Sequence, residues 1–284
     1  MIHRCRSLIL SAFAIAAALA PTMFVGHLVA ADDDGKKEEE ARREQQLKAM
    51  KSFAGQYTLS LANDRKRVFK FHESAVMRFS NPVGGSKDGA IFMWSDRGQP
   101  QALLKIFTYD NELFVQEWQS VSESPFIAER EGKTIWNPSE PGVAFRELPD
   151  APKPAESAAE RLRQMKSLAG KFSTTYLAGI DPKPDELRLL TQSLFRYEAN
   201  VEANRLDGAV FGFSQSTAPM CILLFEARRN GDSHRYHYAF ARLSTQAITT
   251  KFGDKEVFAV EKYDLRRDPK QTFLQLPRQP IPKE

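Results

Sequence analysis

Residues 47–55 read LKAMKSFAG and residues 162–170 read LRQMKSLAG. Each nonapeptide runs into a polar, aromatic-containing stretch, QYTLSL after the first and KFSTTYL after the second. The similarity continues in the same order. Met77-Arg78-Phe79 matches Phe195-Arg196-Tyr197, and Asp88-Gly89-Ala90-Ile91-Phe92 matches Asp207-Gly208-Ala209-Val210-Phe211. Ala102-Leu103-Leu104 matches Ile222-Leu223-Leu224, and Gly132-Lys133-Thr134-Ile135-Trp136 matches Asp254-Lys255-Glu256-Val257-Phe258. The offset drifts from 115 to 122, as a few loop insertions would produce. Ordered self-similarity over such a period marks duplication of one supersecondary unit.

Each copy opens on a helix. Leu47, Met50 and Phe53-Ala54 recur at helical spacing, as do Leu162, Met165 and Leu168-Ala169. Gly55 and Gly170 stand where a helix favours a left-handed terminating residue. Strand patterns follow, with alternation at Ala90, Phe92, Trp94 and at Ala209, Phe211, Phe213. Asp88-Gly89 and Asp207-Gly208 read as tight turns between strands. Longer strands are expected at Ala102–Tyr109, Leu113–Val121, Met220–Ala227 and Tyr236–Leu243. No later helical stretch is long enough to cross between parallel strands, so the sheets are expected to be antiparallel. The predicted class is α+β and mainly β: two tandem repeats, each a leading helix followed by an antiparallel sheet of sandwich or barrel-like form. Whether the two form one body or two beads is open at this level.

The repeats are expected at 47–146 and 158–264. Between them, residues 147–157 carry Pro149, Pro152 and Pro154, which prevent regular structure and predict a stiff, exposed linker. The proline-rich tail, residues 265–284, is expected to be extended or disordered. Residues 32–46 are nearly all charged or polar, a solvated lead-in to the first helix.

The N-terminus decides the compartment. Arg4 and Arg6 precede an uncharged run from Leu8 to Ala31 that ends in Val29-Ala30-Ala31, and Asp32-Asp33-Asp34 follows. This is the layout of a secretory signal peptide over residues 1–31, with small residues at the cleavage point. The run is also long enough to span a bilayer, so an uncleaved anchor is the alternative. The expected location is the periplasm, cell envelope or exterior. Removing residues 1–31 takes away Arg4 and Arg6 and no acid, so the formal charge falls from +4 to +2. That near-neutral balance provides no electrostatic case for a nucleic-acid partner. Of the two cysteines, Cys5 lies in the signal and Cys221 in an apolar run, so no internal disulfide is expected.

Few residues suggest chemistry. Trp94, Trp118 and Trp136 align with Phe213, Phe240 and Phe258, and an aromatic at both places reads as core rather than ligand platform. Asp88 and Asp207 each precede a glycine, the habit of turn formers. Arg78 and Arg196 recur between apolar neighbours, where an arginine pairs with an acid across the sheet or binds an anion; they are the candidate ligand-binding residues. His72 falls opposite Leu190 in the alignment. His234 and His237 are three apart in a strand-like stretch, which points them to opposite faces. No cysteine pair or HExxH motif accompanies them, so neither metal nor other cofactor is expected.

The stretch PGVAFRELPDAP at 141–152, the helix Arg161-Leu162-Arg163-Gln164-Met165, the two Asp-Gly-Ala starts and Leu223-Leu224-Phe225-Glu226-Ala227-Arg228 together carry a resemblance. The chain resembles a family of uncharacterised, duplicated, exported proteins abundant in planctomycete bacteria. The likeness covers most of the chain after residue 31 and implies no activity, ligand or catalytic residue.

Two classes of function remain open: a non-catalytic module binding a small molecule or envelope component, and an extracytoplasmic hydrolase whose site the spacing hides. On the signal reading, N-terminal sequencing of the exported protein is expected to begin at Asp32. Recovery of the intact N-terminus in the membrane fraction would refute cleavage.

Overall fold

The computed structural model describes the chain from Val25 onward, with side chains from residue 35, except residues 111, 179–182, 265–267 and 282–284. Residues 1–24 of the expected signal segment lie outside the described residues, and the expected cleavage point after Ala31 falls on helical backbone whose side chains are not described. Residues 1–42 and residues 43–284 form two units. In the first, the described part is the start of helix α1 (Val25–Ala54), exposed from residue 35 to 42, with Arg42 and Glu39 paired at 3.8 Å. No described helix is long and apolar enough to cross a membrane.

In the second unit, the last turns of α1 bury Gln46, Met50, Phe53 and Ala54, one stripe at helical spacing. Strands β1 (Tyr57–Leu61), β2 (Lys70–Asn81), β3 (Ser86–Asp96), β4 (Gln99–Thr108), β5 (Leu113–Ser120), β6 (Phe126–Arg130), β7 (Lys133–Trp136) and β8 (Arg146–Glu147) follow. Helix α2 (Ala158–Ala169) starts on Ser157, whose hydroxyl accepts from the Glu160 amide at 3.2 Å. After it come β9 (Phe172–Leu177), β10 (Pro184–Leu189), β11 (Phe195–Tyr197), β12 (Arg205–Gln215), β13 (Ala218–Asn230), β14 (Ser233–Arg242), β15 (Ala247–Phe252), β16 (Lys255–Val260) and β17 (Phe273–Pro280).

Every strand pairing among the described residues is antiparallel, as expected from the lack of crossover helices. The order is β17-β5-β4-β3-β2 in one sheet and β1-β6-β7 in a second. The third runs β16-β15-β9-β10-β12-β13-β14-β8, with β11 also on β12.

The central strands are buried on both faces. Ala90, Phe92, Trp94, Leu104 and Ile106 face a core closed by α1 and β1 through Met50, Phe53 and Tyr57. The residues between them, Ile91, Met93, Leu103 and Phe107, face the other way and meet Val210, Ile222, Leu224 and Ala239 of β12, β13 and β14. The far face of that second sheet, with Phe211, Phe213, Leu223 and Phe225, is closed by Met165 and Leu168 of α2 and by Phe172 and Ile248. In residues 43–284 the β17-β5-β4-β3-β2 sheet thus packs back to back on the β12-β13-β14 part of the nine-stranded sheet, the first covered outside by α1 and β1, the other by α2 and the β9 and β15 end of its own sheet. The question of one body or two is decided by this middle layer, where each fully buried Leu, Ile or Phe contributes about 1.5–3 kcal/mol.

Several expectations need correction. Asp88-Gly89 and Asp207-Gly208 are not turns but lie inside β3 and β12. Their glycines are there because the rings of Phe79 and Tyr197 rest on the backbone; a Cβ on either would collide with the ring. The tight turn between β3 and β4 is Arg97-Gly98, with φ 47 and 82, which joins the strands in two left-handed residues. Gly170 is right-handed at φ −66, and Gly55 has no positive φ either, because each helix passes straight into a strand without reversing. The match of Ala102-Leu103-Leu104 to Ile222-Leu223-Leu224 is one residue out of step. Ala102 lies opposite Trp94 and Cys221 opposite Phe213, so Ala102 corresponds to Cys221. A single-residue slip exchanges the faces of a strand, and Ala102 and Ile222 do point to different cores.

The two proline-rich segments are tied down. Residues 147–157 are mostly exposed, as expected, but Leu148 and Pro154 are buried, and Leu148 donates its amide to Tyr236 O at 2.8 Å. Prolines block donors, not acceptors, and Arg161 Nη1 collects the carbonyls of Ala155 at 3.0 Å and Glu156 at 2.6 Å. The tail is extended and ordered as β17, which pairs with β5 through Leu274 opposite Trp118. Pro277 falls where the register shifts, as a proline in a sheet must. Each trailing segment therefore joins the sheet of the other half: β8 extends β14, and β17 extends β5.

Gly208→Ala and Gly89→Ala are expected to cost at least about 1–3 kcal/mol each by overpacking, seen as a lower Tm. Unchanged melting in both would show that the rings can move aside and that close approach does not explain the glycines.

Candidate functional site

Arg78 and Arg196 both hold acids. Arg78 grips Asp88 with Nε at 3.1 Å and Nη2 at 3.0 Å, and Arg43 of α1 stands 3.6 Å from the same carboxylate. Arg196 grips Asp207 with Nε at 3.2 Å and Nη2 at 2.7 Å, while Arg161 of α2 donates from Nε at 2.8 Å. The fork that would take an external anion is filled in each by a carboxylate with 3% side-chain exposure. Asp207, with Gly208 behind it, bonds a helix to two strands at one point. Asp88 does the same on the first sheet, with a weaker helix contact.

The aromatics are core. Trp94, Trp118 and Trp136 are at most 1% exposed, and Trp118 packs on the other two at ring distances of 5.1 and 5.5 Å. Trp136 Nε1 donates to Gln271 O at 2.8 Å, whereas Trp94 Nε1 and Trp118 Nε1 have no acceptor. Cys221 is fully buried and its thiol is pushed up to about 12 by burial, the behaviour of an inert small hydrophobe. His234 and His237 both lie on β14, an odd number of positions apart, hence on opposite faces. No group of three metal-ligating side chains occurs among the described residues.

His72 Nε2 lies 2.8 Å from Ser95 Oγ, the nearest approach to a nucleophile and base. Burial, then Lys70, lowers the His72 pKa. Ser95 is buried, and among the described residues no acid hydrogen-bonds His72 to orient it as the third member of a triad would.

The feature the sequence did not reveal is a cleft of about 290 Å³ between the two sheets. One wall includes Phe79, Ser86, Lys105, Phe107 and Tyr109, and the other Tyr176, Asp185, Met220 and residues 244–246. Val83 and Tyr109 form an open rim, 76% and 37% exposed. The mouth is braced by Asn81 Nδ2 on Gln215 Oε1 at 2.9 Å and by Ser80 N on Thr217 Oγ1 at 2.9 Å. Neither Arg78 nor Arg196 lines it.

At its base sits a buried ion pair. Lys105 and Glu117 face each other directly across β4 and β5, with Nζ 3.1 Å from Oε2 and both side chains 5% exposed. Lys105 donates to Leu243 O at 2.9 Å and lies 5.6 and 5.3 Å from the rings of Phe79 and Phe107. Glu117 Oε2 is in ionic contact with Lys105, but at an angle that makes no hydrogen bond, and it receives none from elsewhere. Ser86 Oγ is likewise buried without a partner. Leaving a buried hydroxyl unpaired costs about 1–3 kcal/mol. Across the second sheet, the pair in the corresponding place is Leu224 and Ala239, with no charge.

A second buried charge cluster is closed by contrast. Tyr197 Oη donates to Glu226 Oε1 at 2.8 Å, and Arg228 Nε to Oε2 at 2.6 Å. Arg205 stands 4.0 Å from Glu226 and donates to Gln99 Oε1 at 3.1 Å. Burial raises the pKa of both Glu226 and Tyr197. The cluster clamps the sheets together at the end of β4 remote from Tyr109, and it does not line the cleft. A shallower hollow of about 220 Å³ runs beside Tyr238 and Phe258, and no unpartnered polar group lines it.

No protein family, curated protein or solved structure matches the chain.

Asp207→Ala strands Arg161, whose side chain is 9% exposed, and is expected to cost about 3–5 kcal/mol. Asp88→Ala is expected to cost less, because its helix partner Arg43 is 42% exposed and solvent takes over. Equal losses in urea unfolding would show that the helix contact is not what separates the two.

Proposed function

We propose that the chain is an exported, non-catalytic binding module of the cell envelope that takes a small molecule in the cleft between its sheets. The observation that carries this reading is the solvent-open cleft of about 290 Å³ itself, walled by aromatic rings and polar side chains. A concave pocket of mainly apolar and aromatic lining with a few polar groups is the usual form of a ligand site. No histidine or cysteine lines it, Lys105 is engaged by Glu117 and Leu243 O, and Asp185 is the second carboxylate of the lining.

The module reading rests on duplication. The Arg–Asp clamps at 78/88 and 196/207 are alike, as are the glycines under Phe79 and Tyr197. A further recurrence supports it: Phe145-Arg146-Glu147-Leu148-Pro149 before the second helix and Phe273-Leu274-Gln275-Leu276-Pro277 at the end. Both segments supply a strand to the opposite sheet, β8 and β17. An ancestral module that traded trailing strands with a second copy of itself, and was then fused, accounts for both.

The test uses the purified protein with a fluorescent apolar probe and a panel of ester, peptide, glycoside and phosphate substrates. Saturable probe binding, lost in Thr245→Trp at unchanged Tm, is the expected result, with no turnover. Binding unaffected by Thr245→Trp would move the site elsewhere. Turnover abolished by one substitution at a cleft serine or acid would make the protein a hydrolase instead.

A further inference from the structure

Granted the reading of the cleft as a binding site, its charge narrows the ligand. Among the described residues of the lining, the charged side chains are Lys105, Glu117 and Asp185. Lys105 and Glu117 are both 5% exposed and neutralise each other. One negative charge is left over, and it belongs to Asp185, the member of the three that is exposed to solvent. On β10 it stands opposite Tyr176 of β9, two places before the core residue Leu187. Alternation along the strand therefore turns it to the inner side of the sheet, while Glu186 and Arg188 take the outer side.

Asp185 also ends a chain of hydrogen bonds that crosses from one sheet to the other. The Gly84 amide donates to Asn81 Oδ1 at 3.2 Å, and Asn81 Nδ2 to Gln215 Oε1 at 2.9 Å. Gln215 Nε2 donates to Tyr176 Oη, whose own proton goes to Asp185. Burial first, then the charge of Asp185, raises the Tyr176 pKa, so the phenol keeps that proton and remains a donor. Every donor in the chain points the same way, so the dipoles add and favour negative charge at its end. A carboxylate accepts about four hydrogen bonds, and Tyr176 supplies one. The one cation among the described lining residues, Lys105, is already held by Glu117 and by Leu243 O.

Accessible apolar surface lines the same cleft. Val83 and Tyr109 are exposed on one side, and Ala178 is partly buried on the other. The Tyr109 ring is fixed edge to face on Phe107 at 5.3 Å and by Arg278 of β17 at 5.3 Å. A ring held in this way offers an apolar ligand face a rigid surface at low entropic cost. Arg278 itself lies outside the lining, within reach of the Asp110 carboxylate. At about 290 Å³ the cleft lies at the lower limit of ligand pockets, room for one ring or a short chain.

We propose that the cleft binds a small organic ammonium ion, its N–H groups on the Asp185 carboxylate and its apolar part on Tyr109 and Val83. The cation supplies donors to a preorganised acceptor and leaves the Lys105–Glu117 pair intact. An anion would be repelled by Asp185, and could draw Lys105 only by breaking a buried pair that is already formed.

The purified full chain is titrated by calorimetry with phenethylamine, phenethyl alcohol and hydrocinnamate, a cation, a neutral compound and an anion of similar size. Each is also tested for displacement of the apolar probe. The amine is expected to displace the probe and to bind roughly three- to tenfold more tightly than the alcohol, with the carboxylate weakest. Salt at about 0.5 M is expected to shrink that advantage. Asp185→Asn is expected to abolish it and to leave the alcohol's affinity and the Tm unchanged, because the side chain is exposed and asparagine still accepts from Tyr176. Tyr109→Ala is expected to weaken amine and alcohol alike. If the probe binds but the amine has no advantage over the alcohol, or keeps its advantage in Asp185→Asn, the ammonium assignment falls and the cleft stands. Amine binding that ignores Tyr109→Ala lies elsewhere and overturns the assignment as well. If neither the probe nor any of the three compounds binds, the cleft itself is not the site.

Discussion

The central strands of residues 43–284 have apolar side chains on both faces, and that leaves neither sheet with a side fit to meet water. Ile91, Met93 and Leu103 would be exposed if the first sheet stood alone, just as Val210, Ile222 and Leu224 would be on the second. Back-to-back packing removes both sets from solvent at once. Everything outside the middle layer follows from it. Each sheet has one outer face left to cover, and a leading helix with a few short strands covers it. The edges, β5 and β14, are closed by strands borrowed from the other half, which also blunts them as templates for aggregation.

The recurrent Asp-Gly pair shows how much structure two residues can specify when tertiary contacts use both. The aspartate, buried to 3%, receives an arginine from the adjacent strand and another from the helix. The glycine lets an aromatic ring lie flat on the strand. Helix, edge strand and central strand thus meet at one residue. Arginine suits the role because it stays charged and its fork matches a carboxylate with two parallel bonds. The same geometry explains why Arg78 and Arg196 recur, since each fork is filled by an aspartate.

The halves differ most where they face each other. Lys105 and Glu117 replace what in the second sheet is Leu224 and Ala239, and Phe79 replaces Tyr197. Beside Tyr197, Arg205 fills the space and completes a closed network with Glu226. At the other end, where Ser86 is short and has no partner, the space stays open as the cleft. A polar pair in the middle layer interrupts the apolar interlock there.

Much of the architecture was legible in the sequence because it rests on local spacing. The helix stripes at Met50 and Met165, the long strands, their antiparallel sense and the burial of the tryptophans all follow from periodicity and propensity. The recurrence of LKAMKSFAG as LRQMKSLAG pointed to two like units. Other readings failed where a local rule met a distant partner. Asp88-Gly89 resembles a turn until the Phe79 ring and the Arg43 guanidinium arrive, and the tail resembles a disordered end until β5 offers it a ladder. Alternation at Ala90, Phe92 and Trp94 identified one buried face and was silent on the other, because burial of Ile91 depends on a sheet more than a hundred residues away. The cleft was out of reach for the same reason. Ser86, Lys105, Glu117 and Thr245 have no common spacing, and only the docking of one sheet on the other brings them to one place. The sequence by itself determined which segments form helix and strand, since those depend on neighbours along the chain. The tertiary structure alone decided which polar atoms find partners and where the cleft opens, since that depends on neighbours in space.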